Sequence, residues 1–387
     1  MRKLLSLCML FILTGCWDLQ ELTEIGLVTA FAIDIDPDSG EYVLTSQFIR
    51  PSAQSPVTTE NGDPYVTVSA TGKSITELLR NVDQSIDRRS FYAHNKIIII
   101  SEEVAKKGIL TLFESFQRDQ QVRSYVWIGI AKGTKAKELM ESAQSGISMI
   151  PANFFYNLFQ DAGPDAVASN LLKFYKEAIQ QGNNPVIGVL ELNQMTGENY
   201  STIKLKGSSI FKKDELVGFL NDEETTSYNW FEDRLENSDL GSLIVEDKGV
   251  PISLNIIKNQ RTVIPKITNN GEIVFKVTLR QHMELAEQQK TYHFKAHRDI
   301  QKLVLKVQKL AESEIEKRLK ELFNKAQSEF QTDFLGFGDL LRKYEPQKWN
   351  EVKDNWEKVF SDVKFEIEVV CEIENTGLVR GTLEPSL

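Results

Sequence analysis

Few residues of this chain have types and spacings that could do chemistry, and the first is a thiol. Leu13-Thr14-Gly15-Cys16 closes a short apolar run, Leu4 to Thr14, that follows Arg2 and Lys3. Crossing a bilayer takes about 20 apolar residues, so a run roughly half that long reads as the core of an export signal. An ordinary signal ends in an A-x-A-like cleavage site, whereas this one offers the pattern of a lipobox. The Cys16 thiol is therefore expected to take a diacylglycerol. Cleavage before it would expose an amine for N-palmitoylation, leaving residues 1–15 as the discarded lipoprotein signal peptide.

The other candidates lose to plainer readings. Asp34, Asp36, Asp38 and Gly40 in "DIDPDSG" suggest a calcium loop, but an EF-hand needs glycine at the sixth position and glutamate at the twelfth. Ser39 and Thr45 stand there, so a hairpin turn is the better account. "TGKS" ends like a phosphate loop, yet Thr67 occupies the place of its first glycine, and backbone amides cannot then wrap a phosphate. His293 and His297 have the i,i+4 spacing of zinc ligands on a helix. Phe294 replaces the glutamate that a zincin requires, and no cysteine cluster adds ligands. There is no G-x-S-x-G stretch for a serine hydrolase. Cys371, on the apolar face of an alternating strand, is expected to be a packed and inert thiol. The expected catalytic, cofactor and metal residues are therefore none.

Charge narrows the partners. The whole chain carries −10, and removing Arg2 and Lys3 with the signal makes it more acidic. Nucleic acid and anionic lipid head groups repel such a protein, so no nucleic-acid partner is expected. Held at a membrane by its lipid, it would stand off the head groups. Of three cysteines, Cys8 leaves with the signal and Cys16 carries lipid. Cys371 then has no partner for an internal disulfide, and stability must come from ordinary cores.

The elements that must position these residues follow from periodicity. "GLVTAFAIDIDPDSGEYVLTSQFI" predicts a hairpin, and "YVTVSA" a strand leading into a helix. Ser74 and Glu77 box that helix's start, and Ile75, Leu78, Leu79, Val82 and Ile86 form its face. "KIIIIS" and "SYVWIGIA" are continuously apolar strands separated by a helical segment, which predicts a βαβ crossover. Leu171 to Ile179 read as an amphipathic helix ended by "QGNNP". "SSIFKKDELVGFL" reads as strand, Lys-Asp turn, strand, and "NDEETTSYNWF" as an acidic helix start. In "EIVFKVTLR" alternate residues from Ile273 to Leu279 share a face. A long helix over His297–Phe330 carries the stripe Ile300, Leu303, Val307, Leu310, Ile315, Leu319 and Leu322. Glu314–Arg318, Glu316–Lys320 and Glu321–Lys325 are expected i,i+4 pairs. The closing strand turns Val363, Phe365, Ile367, Val369, Cys371 and Ile373 to the core and four glutamates to water, as antiparallel sheets allow. The fold class is α+β with mixed sheets. Its expected segments are 17–145, an N-terminal α/β domain; 146–248, a middle domain; and 249–387, a C-terminal α+β domain.

Five segments in order also carry a resemblance: "LTGCWDLQEL", "FYAHNKIIIISEEVAKKGI", "FQRDQQVRSYVWIGIAKGTKAKELM", "FKKDELVGFLNDEET" and "DFLGFGDLLRKYEPQKWNEVKDNWEKVF". The chain resembles the Ger(x)C family, the C-subunit lipoproteins of spore germinant receptors, over nearly its full length. Gln20 stands where that family has a charged residue. The resemblance implies a three-domain α+β fold and a non-enzymatic subunit required for nutrient-triggered germination. It also implies integral-membrane A and B subunits as partners, and a lipid tether to the outer face of the spore's inner membrane. A stand-alone exported lipoprotein binding a small solute is the alternative, and it requires a pocket with converging polar groups.

Overall fold

The computed structural model describes residues 24–50, 64–118, 122–143, 148–194, 201–232, 240–288 and 297–375. Cys16 and His293 lie outside them, as does the side chain of His297.

Strands β1 (Ile25–Ile35) and β2 (Tyr42–Ile49) form the expected hairpin, and β3 (Tyr65–Gly72) leads into helix α1 (Ile75–Asp83). Asp36 closes the hairpin turn by accepting the Asp38 amide at 3.0 Å and the Ser39 hydroxyl at 3.0 Å. Short β4 (Arg89–Phe91) and apolar β5 (Ile97–Ser101) both run parallel to β1. The crossover to β6 (Trp127–Ala131) contains two helices, α2 (Glu102–Lys106) and α3 (Leu110–Arg118). They break at Gly108 (φ +90°), where a Cβ would lie 2.8 Å from Asp214 Oδ2. That carboxylate accepts the Leu110 amide at 3.2 Å, so a turn 104 residues away starts the second helix.

Next come α4 (Ala136–Ser142), α5 (Pro151–Gln160), β7 (Ser169–Asn170), α6 (Leu171–Ile179), β8 (Val186–Gln194), β9 (Ser201–Lys212), β10 (Glu215–Leu220) and α7 (Asp222–Glu232). The order β10-β9-β8-β6-β5-β1-β2-β3, with β4 and β7 at the side, makes one ten-stranded mixed sheet. Both its faces are covered. Phe31, Ile98, Phe113 and Phe174 pack on one side, and Ile97, Ile99, Leu139 and Phe155 on the other. This is why "KIIIIS" shows no alternation: each isoleucine is buried on whichever face it points to.

The second sheet, β11 (Ser242–Asp247), β12 (Val250–Ile267), β13 (Ile273–Gln288) and β14 (Lys364–Asn375), is backed by the long helix α8 (His297–Asn324). Phe275, Val277 and Leu279 meet Val307, Ile315 and Leu319 in that core. The segment 146–248 divides its strands, β8 to β10 joining the first sheet and β11 the second.

Two expectations change. The outer face of β14 is wet, with Glu366, Glu368, Glu372 and Glu374 exposed, but β14 pairs with β13 in parallel. The connection through α8 and the helices after it is long enough to carry the chain back and set β14 parallel to β13, whatever its solvent face. Of the helix pairs, Glu314–Arg318 (2.8 Å) and Glu316–Lys320 (2.5 Å) form, whereas Glu321 faces Lys317 at 3.9 Å. Lys325 opens a π-helical turn, Lys325–Glu329, and its ammonium meets Glu224 at 2.9 Å and Glu329 at 3.9 Å rather than Glu321.

Candidate functional site

Each candidate within the described residues has a definite place. The Asp34 carboxylate turns away from the hairpin and accepts the Ala136 and Lys137 amides at 2.8 and 2.9 Å, holding the start of α4. Burial raises its pKa, while those two bonds pull it back. At "TGKS" the Ser74 oxygen accepts the Glu77 amide, and the Glu77 carboxylate accepts the Lys73 amide at 2.9 Å. A carboxylate of the chain itself thus fills the place an anion would take. The Cys371 thiol is buried at 2 % exposure, and burial, then nearby Glu312, pushes it up to about 12. His282, not singled out by sequence, meets Glu374 at 2.5 Å on the wet face of the second sheet. Among the described residues no three His, Cys, Asp or Glu side chains gather as a metal site would require.

The most organised polar centre is Asp333, within the segment "DFLGFGDLLRKYEPQKWNEVKDNWEKVF". After the π-helical turn the chain passes Gln331 and Gly336, both at positive φ, and starts α9 (Phe337–Tyr344). α10 (Pro346–Val352) and α11 (Trp356–Phe360) follow. Asp333 is fully buried. Its Oδ1 accepts the Leu335 and Phe337 amides at 3.2 and 3.1 Å. Its Oδ2 accepts the Gly338 amide at 2.7 Å and the Trp356 indole N–H at 2.9 Å. Burial pushes its pKa up to about 6, and the four donors hold it down against a larger rise.

This centre joins two distant parts of the chain. The Asn184 amide donates to the Asp333 carbonyl at 3.2 Å and accepts the Lys213 N–H at 2.7 Å. The Asp339 amide donates to the Gly182 carbonyl at 3.1 Å. A Cβ on Gly338 would lie 2.5 Å from Gly182 Cα and 2.6 Å from Trp356 Nε1, so only two glycines let these backbones touch. Above the contact opens a polar cleft of about 470 Å³, lined by Gln180, Asn183, Lys213, Lys353, Asn355 and Lys358 among others. Both Asp333 oxygens are committed to donors, and its surroundings are aromatic, which suits a fastening point rather than a proton-transfer site.

Comparison with known proteins places both ends of this centre. Residues 18–192 match the family model described as the spore germination protein N-terminal domain. Residues 206–377 match that described as spore germination B3/GerAC like, C-terminal. Spore germination protein B3 of Bacillus subtilis (strain 168) is 27% identical over 376 residues, spanning 96% of each chain. Spore germination protein KC of the same organism is 25% identical, over 98% of this chain and 96% of its own. Among solved structures the GerBC protein matches in fold, with a TM-score of 0.56 at 22% identity over 89% of this chain and 97% of that one.

Proposed function

Because the chain belongs to the Ger(x)C family of spore germination proteins, we propose that it is the lipid-anchored C subunit of a germinant receptor, acting through contacts with other proteins. The observation that carries this reading is the end-to-end match to germination proteins, which spans both domain models in one chain. In this reading Cys16 bears the N-palmitoyl and S-diacylglycerol groups, and the partners are integral-membrane A and B subunits. The protein sits on the outer face of the spore's inner membrane and performs no chemistry of its own. Two acyl chains give stable attachment where one is marginal. Tethering confines the search for partners to a thin layer, so a modest interface can hold the complex. Among the described residues no helix is long and apolar enough to cross a membrane.

The polar cleft beside Asn183 and Lys213 favours one other reading, a solute-binding lipoprotein. Genetics separates the two. Deleting the gene is expected to abolish the response of its own receptor while other receptors in the same spore still work. Cys16→Ala is expected to leave the precursor unlabelled by radioactive fatty acid and to weaken the same response. Unchanged germination in the deletion strain would remove the subunit role, and equal labelling of Cys16→Ala would remove the anchor.

A further inference from the structure

The strand registers bring several basic residues to one end of the large sheet. β1 enters at Ile25, with Arg89 opposite it on β4. On the other side β2 leaves through Phe48, opposite Val28, to Arg50. Neighbouring strands are about 4.8 Å apart, which puts Arg50 and Arg89 roughly two strand spacings from each other. Arg88 precedes Arg89, and Arg123 lies four residues before Trp127, whose level on the sheet is that of Ile97 and Ala30. Lys96 belongs to the same end, its amide bonded to the Thr29 carbonyl. Arg50, Arg89 and Arg123 are exposed and Arg88 is half-buried. None of these four guanidiniums has an ion-pair partner among the described residues. Glu24, Asp83 and Asp87 sit among them, as does Glu141, which accepts the Thr67 hydroxyl at 3.4 Å on the level of Gln47 and Ala30, so among these described residues, Lys96 included, bases outnumber acids by five to four in a chain whose net charge is −10.

Apolar side chains stand at the same end without cover. Tyr125 and Met149 are each 73% exposed, the first two residues before β6 and the second two before α5. The start of α5 is fixed there by the Ala152 amide, which donates to Gln47 on β2. Tyr156 receives the Lys96 ammonium over its ring at 5.2 Å. Tyrosines beside cationic side chains suit a surface where apolar and phosphate layers meet.

We propose that this end of the sheet docks on anionic phospholipid head groups. The inference rests on the reading of Cys16 as lipidated, because chain length then restricts which face meets the membrane. Glu24 lies eight positions after Cys16, and an extended chain spans at most about 3.5 Å per position, or about 28 Å. The β1 entry is therefore held within about 28 Å of the anchored cysteine, which keeps this end of the sheet within reach of the bilayer. Acidic residues on the far side are beyond a Debye length of about 10 Å and do not repel the head groups. The net charge of the chain is thus a poor guide to this face, and the molecule rests on the head groups rather than standing off them.

The test uses the lipidated mature chain on two kinds of vesicle, pure phosphatidylcholine and phosphatidylcholine with about one-third phosphatidylglycerol. A fluorophore is placed at Met149→Cys or, as a control, at Asp38→Cys in the hairpin turn at the opposite end. Quenching by a nitroxide lipid is read at each position. The expected result is quenching at 149 on the anionic vesicles, reversed by raising salt to about 0.5 M. It should be at least about tenfold weaker with Arg50→Glu, Arg89→Glu and Arg123→Glu combined. The salt titration needs no substitution and stands if that variant misfolds. Equal quenching at 149 and 38, or quenching indifferent to lipid charge and salt, overturns the proposal. Flotation with phosphatidylcholine vesicles reports the anchor separately. A chain that floats with anionic vesicles alone loses the anchor but upholds the docking face. One that floats with neither overturns both.

Discussion

At the scale of single residues, Asp333 and Cys371 show how burial sets chemistry. A buried carboxyl whose folded pKa is about 6 keeps its proton to higher pH than in the unfolded chain, where it titrates near the ordinary aspartate value. The folded state then binds more protons between about pH 4 and 6. Stability from this group is present at the acid end and is lost as pH rises through that window, by an amount on the order of 3 kcal/mol. Urea unfolding at a series of pH values is expected to show that decline in the wild type. The Asp333→Asn difference from wild type should itself vary with pH over the same window. A pH-independent difference would mean that Asp333 does not titrate there. Asp333→Ala is expected to lose about 3 kcal/mol or more, since the Trp356 indole and three backbone amides lose their acceptor. Cys371 gives the opposite kind of test. A thiol pushed up to about 12 and nearly devoid of exposure should react slowly with Ellman's reagent until denaturant is added. Rapid native reaction would mean that the strand presents its other face.

Between elements, the contact of Gly182 with Gly338 fastens the loop after α6 to the start of α9. Gly338→Ala must displace either the Gly182 backbone or the Trp356 ring, because both lie nearer than any real Cβ contact. Overpacking of this kind costs about 1–3 kcal/mol. Gly271 supplies a control. Unlike Gly338 it has positive φ, +80°, and a Cβ there meets nothing within 4 Å, so Gly271→Ala carries only the backbone term of about 1–2 kcal/mol. Gly182→Ala, with φ +84° and a 2.7 Å approach to Gly338, should suffer both effects and be the most destabilised of the three. Thermal melts of the three variants check this order. Equal melting temperatures would mean that the two backbones can separate freely.

For the whole molecule, the Asp333 junction ties the loop after α6 to the start of α9, beside an open polar cleft lined by long side chains with many rotatable bonds. Lysine and glutamine lose much rotamer freedom when they clasp a ligand, which weakens small-solute binding there. The protein by itself is therefore expected to bind germinant amino acids or sugars weakly or not at all. Isothermal titration calorimetry with the purified chain is the check. Tight stoichiometric heat would promote the solute-binding reading, and mapping that heat with Lys213→Ala and Lys353→Ala would locate it.

Local pattern was enough for most of the elements. Ser74 with Glu77, the Lys213-Asp214 turn, the unbroken isoleucines of β5 and the alternation of β13 each declare themselves within a few residues, because helix capping, turn geometry and side-chain period act over that range. The lipobox-like pattern Leu13-Thr14-Gly15-Cys16 is equally local, and it lies outside the described residues. Partnership was not legible. Nothing in β11 or β14 says which strand each will pair with, or that β14 returns parallel, since a buried face specifies what it avoids and not what it touches. Asp34 finds its helix 102 residues away, and Asp333 finds Trp356 across 23 and Asn184 across 149. The basic end of the large sheet gathers Arg50, Arg88 with Arg89, and Arg123 from three separate segments within a net acidic chain. Elements and their buried faces could be read from residue order, because the forces that set them are short-range. Tertiary structure alone decided which of those faces, carboxylates and arginines would meet, because proximity in a folded chain is set by packing.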